Sequence, residues 1–273
     1  QLLFENQQDG DINSCVYYAR RFEDFEGLEA YKEQLILKAD RGDVFAQNEL
    51  ALCYLDENLI SDGAADYDKA LQYFQMAAAQ GYFRAYYSIG VRYYTGEGVE
   101  KNYQIAENYF KRVEAMGYGD AMLYLGKIYK RGDGHIEKNQ SVEIGWFKKA
   151  LEAGRHDDES INQIARDYSD KGNDSEALKY WTLGEEYGYP YCIANLGWAY
   201  RWGKGVAVDY IKAGEYFKKA IEKGSGNGYE ERNLAELYKN GDGVTCDWAI
   251  AKEWYEKAAA KGDEDAIAAL KTM

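Results

Sequence analysis

Proline is almost missing from this chain of 273 residues; Pro190 is the single one. Proline breaks helix interiors, so this near-absence suits a chain that is helical over nearly its whole length. Pro190 itself stands near the start of a predicted helix, where a fixed φ is tolerated. Histidine is as scarce. His135 and His156 are the two in the sequence, and neither stands at a motif spacing from a cysteine or serine, which leaves a histidine-based nucleophilic site without support. Both are read as surface turn residues. The four cysteines, Cys15, Cys53, Cys192 and Cys246, contain no C-x-x-C pair, which excludes zinc-ribbon and thioredoxin-type spacing. Buried free thiols are expected, and these favour a reducing, cytoplasmic setting. The chain starts at Gln1 rather than Met; removal of an upstream segment is the expectation, and it leaves a periplasmic or secreted setting open.

No apolar run approaches the ~18 residues needed to cross a bilayer, so no transmembrane segment is expected. Basic residues are in deficit, 33 against 47 acidic ones, for a formal charge of −14. That excludes nucleic acid as a partner, since such binding is driven by Lys and Arg displacing counterions from phosphates. It suits a basic protein partner through steering, or simply a soluble surface. Carboxylates at Asp56, Glu57, Asp62, Asp66 and Asp68 do not follow the twelve-residue calcium loop and lack its closing glutamate. No metal or cofactor is expected.

What the sequence has in abundance is glycine, 28 residues, and tyrosine, 27, and both recur in register. Gly42, Gly81, Gly117, Gly154, Gly188, Gly224 and Gly262 follow one another at 34 to 39 residues, the period of stacked helical pairs. An aromatic doublet precedes each later glycine: Tyr73-Phe74, Tyr109-Phe110, Trp146-Phe147, Tyr180-Trp181, Tyr216-Phe217 and Trp254-Tyr255. Upstream of each doublet, an aliphatic residue, a tiny one and an aromatic recur as Leu50-Ala51-Tyr54, Ile89-Gly90-Tyr93, Leu125-Gly126-Tyr129, Ile164-Ala165-Tyr168, Leu196-Gly197-Tyr200 and Leu234-Ala235-Tyr238. Aliphatic and aromatic are four apart and share a helix face. The tiny residue lets a neighbouring helix come close.

Four units join their two helices through Gly-x-Gly: Gly96/Gly98, Gly132/Gly134, Gly203/Gly205 and Gly241/Gly243. Glycine there predicts a left-handed helix cap, and Asn102, Asp209 and Asp247 stand where the second helix needs an N-cap. A nucleotide-binding loop is excluded because no strand precedes these glycines and the element repeats.

Ala85…Ile89-Gly90…Tyr93…Gly96-x-Gly98-Val99…Ala106…Tyr109-Phe110…Gly117 resembles the Sel1-like repeat proteins, relatives of the tetratricopeptide repeat. So does Ala194…Leu196-Gly197…Tyr200…Gly203-x-Gly205-Val206…Ala213…Tyr216-Phe217…Gly224. The resemblance implies an all-α fold, a right-handed superhelical solenoid of about seven antiparallel helix pairs. The expected units are a divergent N-terminal repeat at 1–42, repeats at 43–81, 82–117, 118–154, 155–188, 189–224 and 225–262, and a C-terminal cap at 263–273, all in one domain. Two connections depart from the pattern: 56–66, and Asp170-Lys171-Gly172-Asn173.

The resemblance also implies that the first helices line a concave groove. Positions about six and three before the tiny residue, and one, four and five after it, then face a partner. They select Arg84, Tyr87, Val91, Tyr94 and Thr95, then Asp120, Lys127, Lys130 and Arg131, then Asn162, Arg166 and Asp170. Further along they select Tyr191, Trp198, Arg201 and Trp202, then Tyr229, Arg232, Glu236, Lys239 and Asn240. Aromatics and arginine are the types enriched at binding hot spots. Trp198 and Trp202, beside Arg201, lie outside the packing positions of the repeat and are the sharpest candidates. The function expected is a non-enzymatic scaffold that binds a partner protein. One alternative is a bacterial immunity or secretion-associated protein that neutralises a basic toxin or effector. Another is a β-lactam hydrolase, for which no Ser-x-x-Lys site with its partners is present.

Overall fold

The computed structural model describes residues 35–55 and 65–273. The expected N-terminal repeat up to residue 34, with Cys15, and most of the 56–66 connection lie outside the described residues. The chain groups into two compact units, residues Gln1–Glu143 and Ile144–Met273. Among the described residues every regular element is a helix.

In the first unit a helical segment ending at residue 40 is followed by α1 (Val44–Tyr54), α2 (Tyr67–Ala79), α3 (Phe83–Thr95), α4 (Tyr103–Glu114) and α5 (Gly119–Arg131). Helix α6 (Gln140–Glu152) crosses the boundary. The second unit continues with α7 (Asp158–Asp170), α8 (Asp174–Glu186), α9 (Pro190–Trp202), α10 (Tyr210–Glu222), α11 (Tyr229–Asn240), α12 (Trp248–Ala260) and the short α13 (Glu264–Leu270). Consecutive helices pack as hairpins, α1 with α2, α3 with α4, α7 with α8, α9 with α10 and α11 with α12, and each hairpin packs on the next helix in its unit.

The aromatic doublet is explained by the two sides of a second helix. Its first member stays at the hairpin surface and stacks on the aromatic of the first helix. Tyr54 stacks on Tyr73, Tyr93 on Tyr109, Tyr168 on Tyr180 and Tyr200 on Tyr216, with planes within 14° of parallel. The second member goes inward: Phe74, Phe110, Phe147, Trp181 and Phe217 are fully buried and Tyr255 nearly so. The tiny residue serves that inward ring. A Cβ at Gly90 would stand 2.8 Å from Phe110, and one at Gly197 would stand 2.8 Å from Phe217. The close approach made possible by glycine is therefore first of all within one hairpin, by the ring of the second helix, rather than only between units.

The helix ends follow the sequence. Asn102, Asp209 and Asp247 accept from the backbone N–H groups of Ile105, Lys212 and Ile250. Asp157 and Ser160 form a reciprocal capping box on α7. Gly96, Gly203 and Gly241 close α3, α9 and α11 in the left-handed region. The second glycine of the Gly-x-Gly turn has a different task. A Cβ on Gly98 would lie 2.3 Å from Cβ of Tyr67, and one on Gly243 2.8 Å from Cβ of Tyr210. Each turn is pressed against the start of the preceding hairpin's second helix, so this glycine joins units as well as ending a helix.

Two thiols, Cys53 and Cys192, are buried as expected, but Cys246 is exposed. It lies in the turn before α12, where its Sγ meets the Lys239 carbonyl at 3.1 Å. His156 also differs from a plain turn residue. Its ring lies 4.2 Å from that of Tyr187 and its Nδ1 is 3.0 Å from the Tyr189 hydroxyl, clasping the end of α8 to the turn before α7. His135 is exposed in its turn, as expected.

Candidate partner-binding site

In the first unit the candidate residues of α3 and α5 meet in a block of tyrosines. Tyr87 touches Tyr118, Tyr124 and Phe110 at centroid distances of 5.1, 5.8 and 6.0 Å. Tyr94 is buried, stacked on Tyr103 at 5.1 Å and edge-on to Tyr124 at 4.9 Å. Burial among these rings pushes the Tyr87 hydroxyl far above the ordinary phenol range, with Tyr124 and Asp120 adding to it. The cations dress this block from outside. Arg131 donates to the Tyr94 hydroxyl at 2.5 Å, Lys127 lies 5.8 Å from the Tyr124 ring, and exposed Arg84 lies 5.9 Å from the Phe83 ring. Lys130 is half-buried at the end of α5. Tyr87 and Tyr94 thus fill the junction of α3 with α5, and the groups that reach solvent here are the cations and ring edges.

The second unit presents a different face. Along α9, Tyr191, Asn195, Trp198 and Trp202 recur at i, i+4, i+7 and i+11, which is one stripe of a 3.6-residue helix. Tyr191 is 47% and Trp202 56% exposed. Trp198 is half-buried; its ring meets buried Trp181 edge-on at 6.3 Å, and Lys204 lies 5.8 Å above it. The expectation that Trp198 stands clear of packing is corrected here, because its inner edge covers Trp181 while its outer part remains on the stripe. The start of α9 is held by the hairpin before it. The N–H groups of Tyr191 and Cys192 donate to the two carboxylate oxygens of Asp158 on α7, at 2.9 and 3.3 Å. Burial raises that carboxyl above its usual range even against these bonds.

Arg201 behaves differently from its neighbours. It is buried. It donates to Asn233 Oδ1, pairs with Glu236 Oε2 at 2.5 Å, and its guanidinium lies 4.9 Å from the Trp202 ring. It ties α9 to α11 and braces Trp202 from behind. On α11, Arg232 is likewise engaged, with Asp263 at 3.0 Å and with Glu236 and Asp265 at 3.6 Å. Half-buried Tyr229 packs edge-on to Phe217. Lys239 lies 5.7 Å from the ring of exposed Trp248, and Arg166 is exposed on α7. The face is therefore aromatic more than basic, since its arginines on α9 and α11 are consumed at helix junctions.

Sequence reasoning missed Asn195 and Asp158. The signal for Asn195 was available: Tyr191 and Asn195 recur one unit on as Tyr229 and Asn233. Among the described residues no group of three or more His, Cys, Asp or Glu is arranged to hold a metal ion. No described helix is long and apolar enough to cross a membrane.

The family model for the Sel1 repeat matches residues 44–82, 84–118, 119–154, 190–225 and 231–263, together well over half of the chain. Among solved structures, the chain is similar to a Sel1 repeat protein from Oxalobacter formigenes, with 22% identity over 92% of this chain and 97% of that one and a TM-score of 0.71. It is also similar to a protective antigen with an SLR fold present in uropathogenic Escherichia coli strains, with 27% identity and a TM-score of 0.58. That match covers 87% of this chain and 58% of the antigen. The C-terminal part of a TPR repeat-containing protein from Cytophaga hutchinsonii aligns at 16% identity, over 94% of this chain and 99% of that one, with a TM-score of 0.56. The segment 155–189 falls between two matched repeats, yet α7 and α8 fold there as a hairpin like the rest.

Proposed function

The chain belongs to the Sel1 repeat family, and from that premise we propose that it binds a partner protein through the first-helix face of its second unit and carries out no reaction of its own. One observation carries this reading: Trp202 is a large aromatic that is mostly exposed and yet held in place, by the Arg201 guanidinium behind it. Rigid, amphipathic rings that lose little entropy on docking are what interfaces use as anchors. Tyr191 and Trp198 extend the anchor along α9, and Arg201 acts by positioning it. In the first unit, Arg84, Lys127, Lys130 and Arg131 are the proposed contact groups, with Tyr87 and Tyr94 as their support. Tyr229, Arg232, Lys239 and Arg166 border the α9 stripe.

The acidic excess, 47 against 33, favours a basic partner, and a toxin or effector neutralised by this chain is the second reading it supports. Trp202→Ala is expected to weaken the captured partner about thirtyfold, the loss typical of a central aromatic anchor, with an unchanged melting curve. Titration calorimetry with the purified pair checks this; equal affinity for the variant would reject the α9 face.

A further inference from the structure

Between α7 and α9 two asparagines keep one donor and one acceptor that no described residue uses. The Trp181 indole N–H donates to Asn162 Oδ1 at 3.1 Å. An indole nitrogen can only donate, so the oxygen of Asn162 must face it. Asn195 Nδ2 donates to that same oxygen at 2.8 Å and to the Tyr191 carbonyl at 2.8 Å. Both amides are thereby oriented without ambiguity. The free ends are Asn162 Nδ2, a donor, and Asn195 Oδ1, an acceptor. Neither is among the buried polar atoms lacking a partner, and both side chains are half-exposed.

Part of this arrangement recurs one hairpin on, and there it is closed. Asn233 Nδ2 donates to the Tyr229 carbonyl at 2.7 Å, as Asn195 does to that of Tyr191, but Asn233 Oδ1 is occupied by Arg201. Arg201 stands four residues after the tiny residue of its helix. The matching position on α7, four after Ala165, is Ser169, which is short and donates to Asp174 at 2.7 Å. Among the described residues nothing reaches the open copy. It lies on the stripe between Tyr191 and Trp198.

Resting on the protein-binding reading above, we propose that Asn162 and Asn195 grip the main chain of an extended segment of the partner, Asn162 Nδ2 donating to a backbone carbonyl and Asn195 Oδ1 accepting from a backbone N–H. A residue in extended conformation offers both groups toward one side, and main-chain bonds of this kind supply affinity independent of side-chain identity. Tyr191 and Trp198 then receive the flanking side chains. A partner arginine is the competing occupant, after the precedent of Arg201. The open copy suits it less: the position of Glu236 is taken by Trp198, and Asn162 Nδ2 would face the guanidinium donor to donor.

The test uses the full chain, immobilised, to select short linear peptides from a random phage-displayed library. Selected peptides are synthesised and titrated against the unaltered chain, Asn162→Asp and Trp202→Ala. Each is also remade with every backbone nitrogen methylated in turn. Asn162→Asp keeps an oxygen for Trp181 and Asn195 and turns the free donor into a charged acceptor on a half-exposed side chain, so its melting curve is expected to overlay that of the unaltered chain. The expected result is about a tenfold loss of affinity for Asn162→Asp, and a like loss on methylation at one nitrogen alone. Binding that survives both changes while Trp202→Ala abolishes it would overturn the asparagine grip and leave the α9 face standing. Binding that requires a peptide arginine and tolerates methylation throughout would overturn it in favour of the guanidinium. A selection yielding only peptides indifferent to Trp202→Ala and Asn162→Asp alike would count against the grip and the face together.

Discussion

Phe217→Ala is expected to destabilise the second unit by about 3–5 kcal/mol, the range for removing a fully enclosed phenyl ring. Phe217 has no exposed surface and packs with Ala213, Leu234 and Leu237, over the flat patch provided by Gly197 and beside the Tyr229 ring. It touches three helices, so the cavity left behind opens onto α9, α10 and α11 at once and cannot close by moving one side chain. Tyr216→Ala, one residue earlier, is the control. Tyr216 is half-exposed and loses a stack on Tyr200 at 5.5 Å, together with its contact to Glu185; a cost of about 1 kcal/mol is expected. Hydrogen exchange resolved by helix is the appropriate measurement, because units of a repeat chain need not unfold together. Equal protection loss in both variants would mean that the doublet's two members do not divide the work as described.

Arg201→Ala is expected to cost about 2–3 kcal/mol and to loosen the junction of α9 with α11. Breaking one side of a buried pair leaves the other side without its partner, which costs more than the intact pair contributes. Here the penalty is moderated, since Glu236 is 30% exposed and keeps Arg232 at 3.6 Å. Asn233 has no such reserve: it is buried, and its Oδ1 loses the donor it has. Arg201→Lys is expected to recover little, because one ammonium on a flexible stem does not replace a planar fork that serves two acceptors. Joint replacement of Arg201 and Glu236 by methionine is expected to recover only part of the loss, because buried Asn233 Oδ1 still lacks its donor. Denaturant titrations of the four proteins give the comparison. A single alanine variant as stable as the unaltered chain would show that Arg201 is free to meet a partner directly.

Much of this architecture was legible in the sequence because each device repeats. The Gly-x-Gly turns, the caps at Asn102, Asp209 and Asp247, and the alternation of doublet and tiny residue are set by local chemistry and recur, so each copy reinforces the others. The periodicity also placed Trp198 and Trp202 on one face of α9. It could not say which cations on that face are spent. Arg201 and Arg166 occupy comparable helix faces and look alike in sequence; burial and the acceptors Asn233 and Glu236, 32 and 35 residues away, engage one and leave the other exposed. Asn162 and Asn195 escaped notice as a pair for the same reason, since their bond joins positions 33 residues apart. Trp198 was misjudged because the ring beneath it, Trp181, belongs to another helix whose inward rotation the repeat pattern alone does not fix.

The claim on which the account rests is that the α9 face, and not the second helices, meets the partner. A photo-crosslinking amino acid placed at Trp202 and, in a separate protein, at exposed Lys218 on α10 tests it in the native cell. The account predicts a discrete covalent product with a protein from position 202 and none from position 218. A product from position 218 alone, or no protein product from position 202, would contradict it.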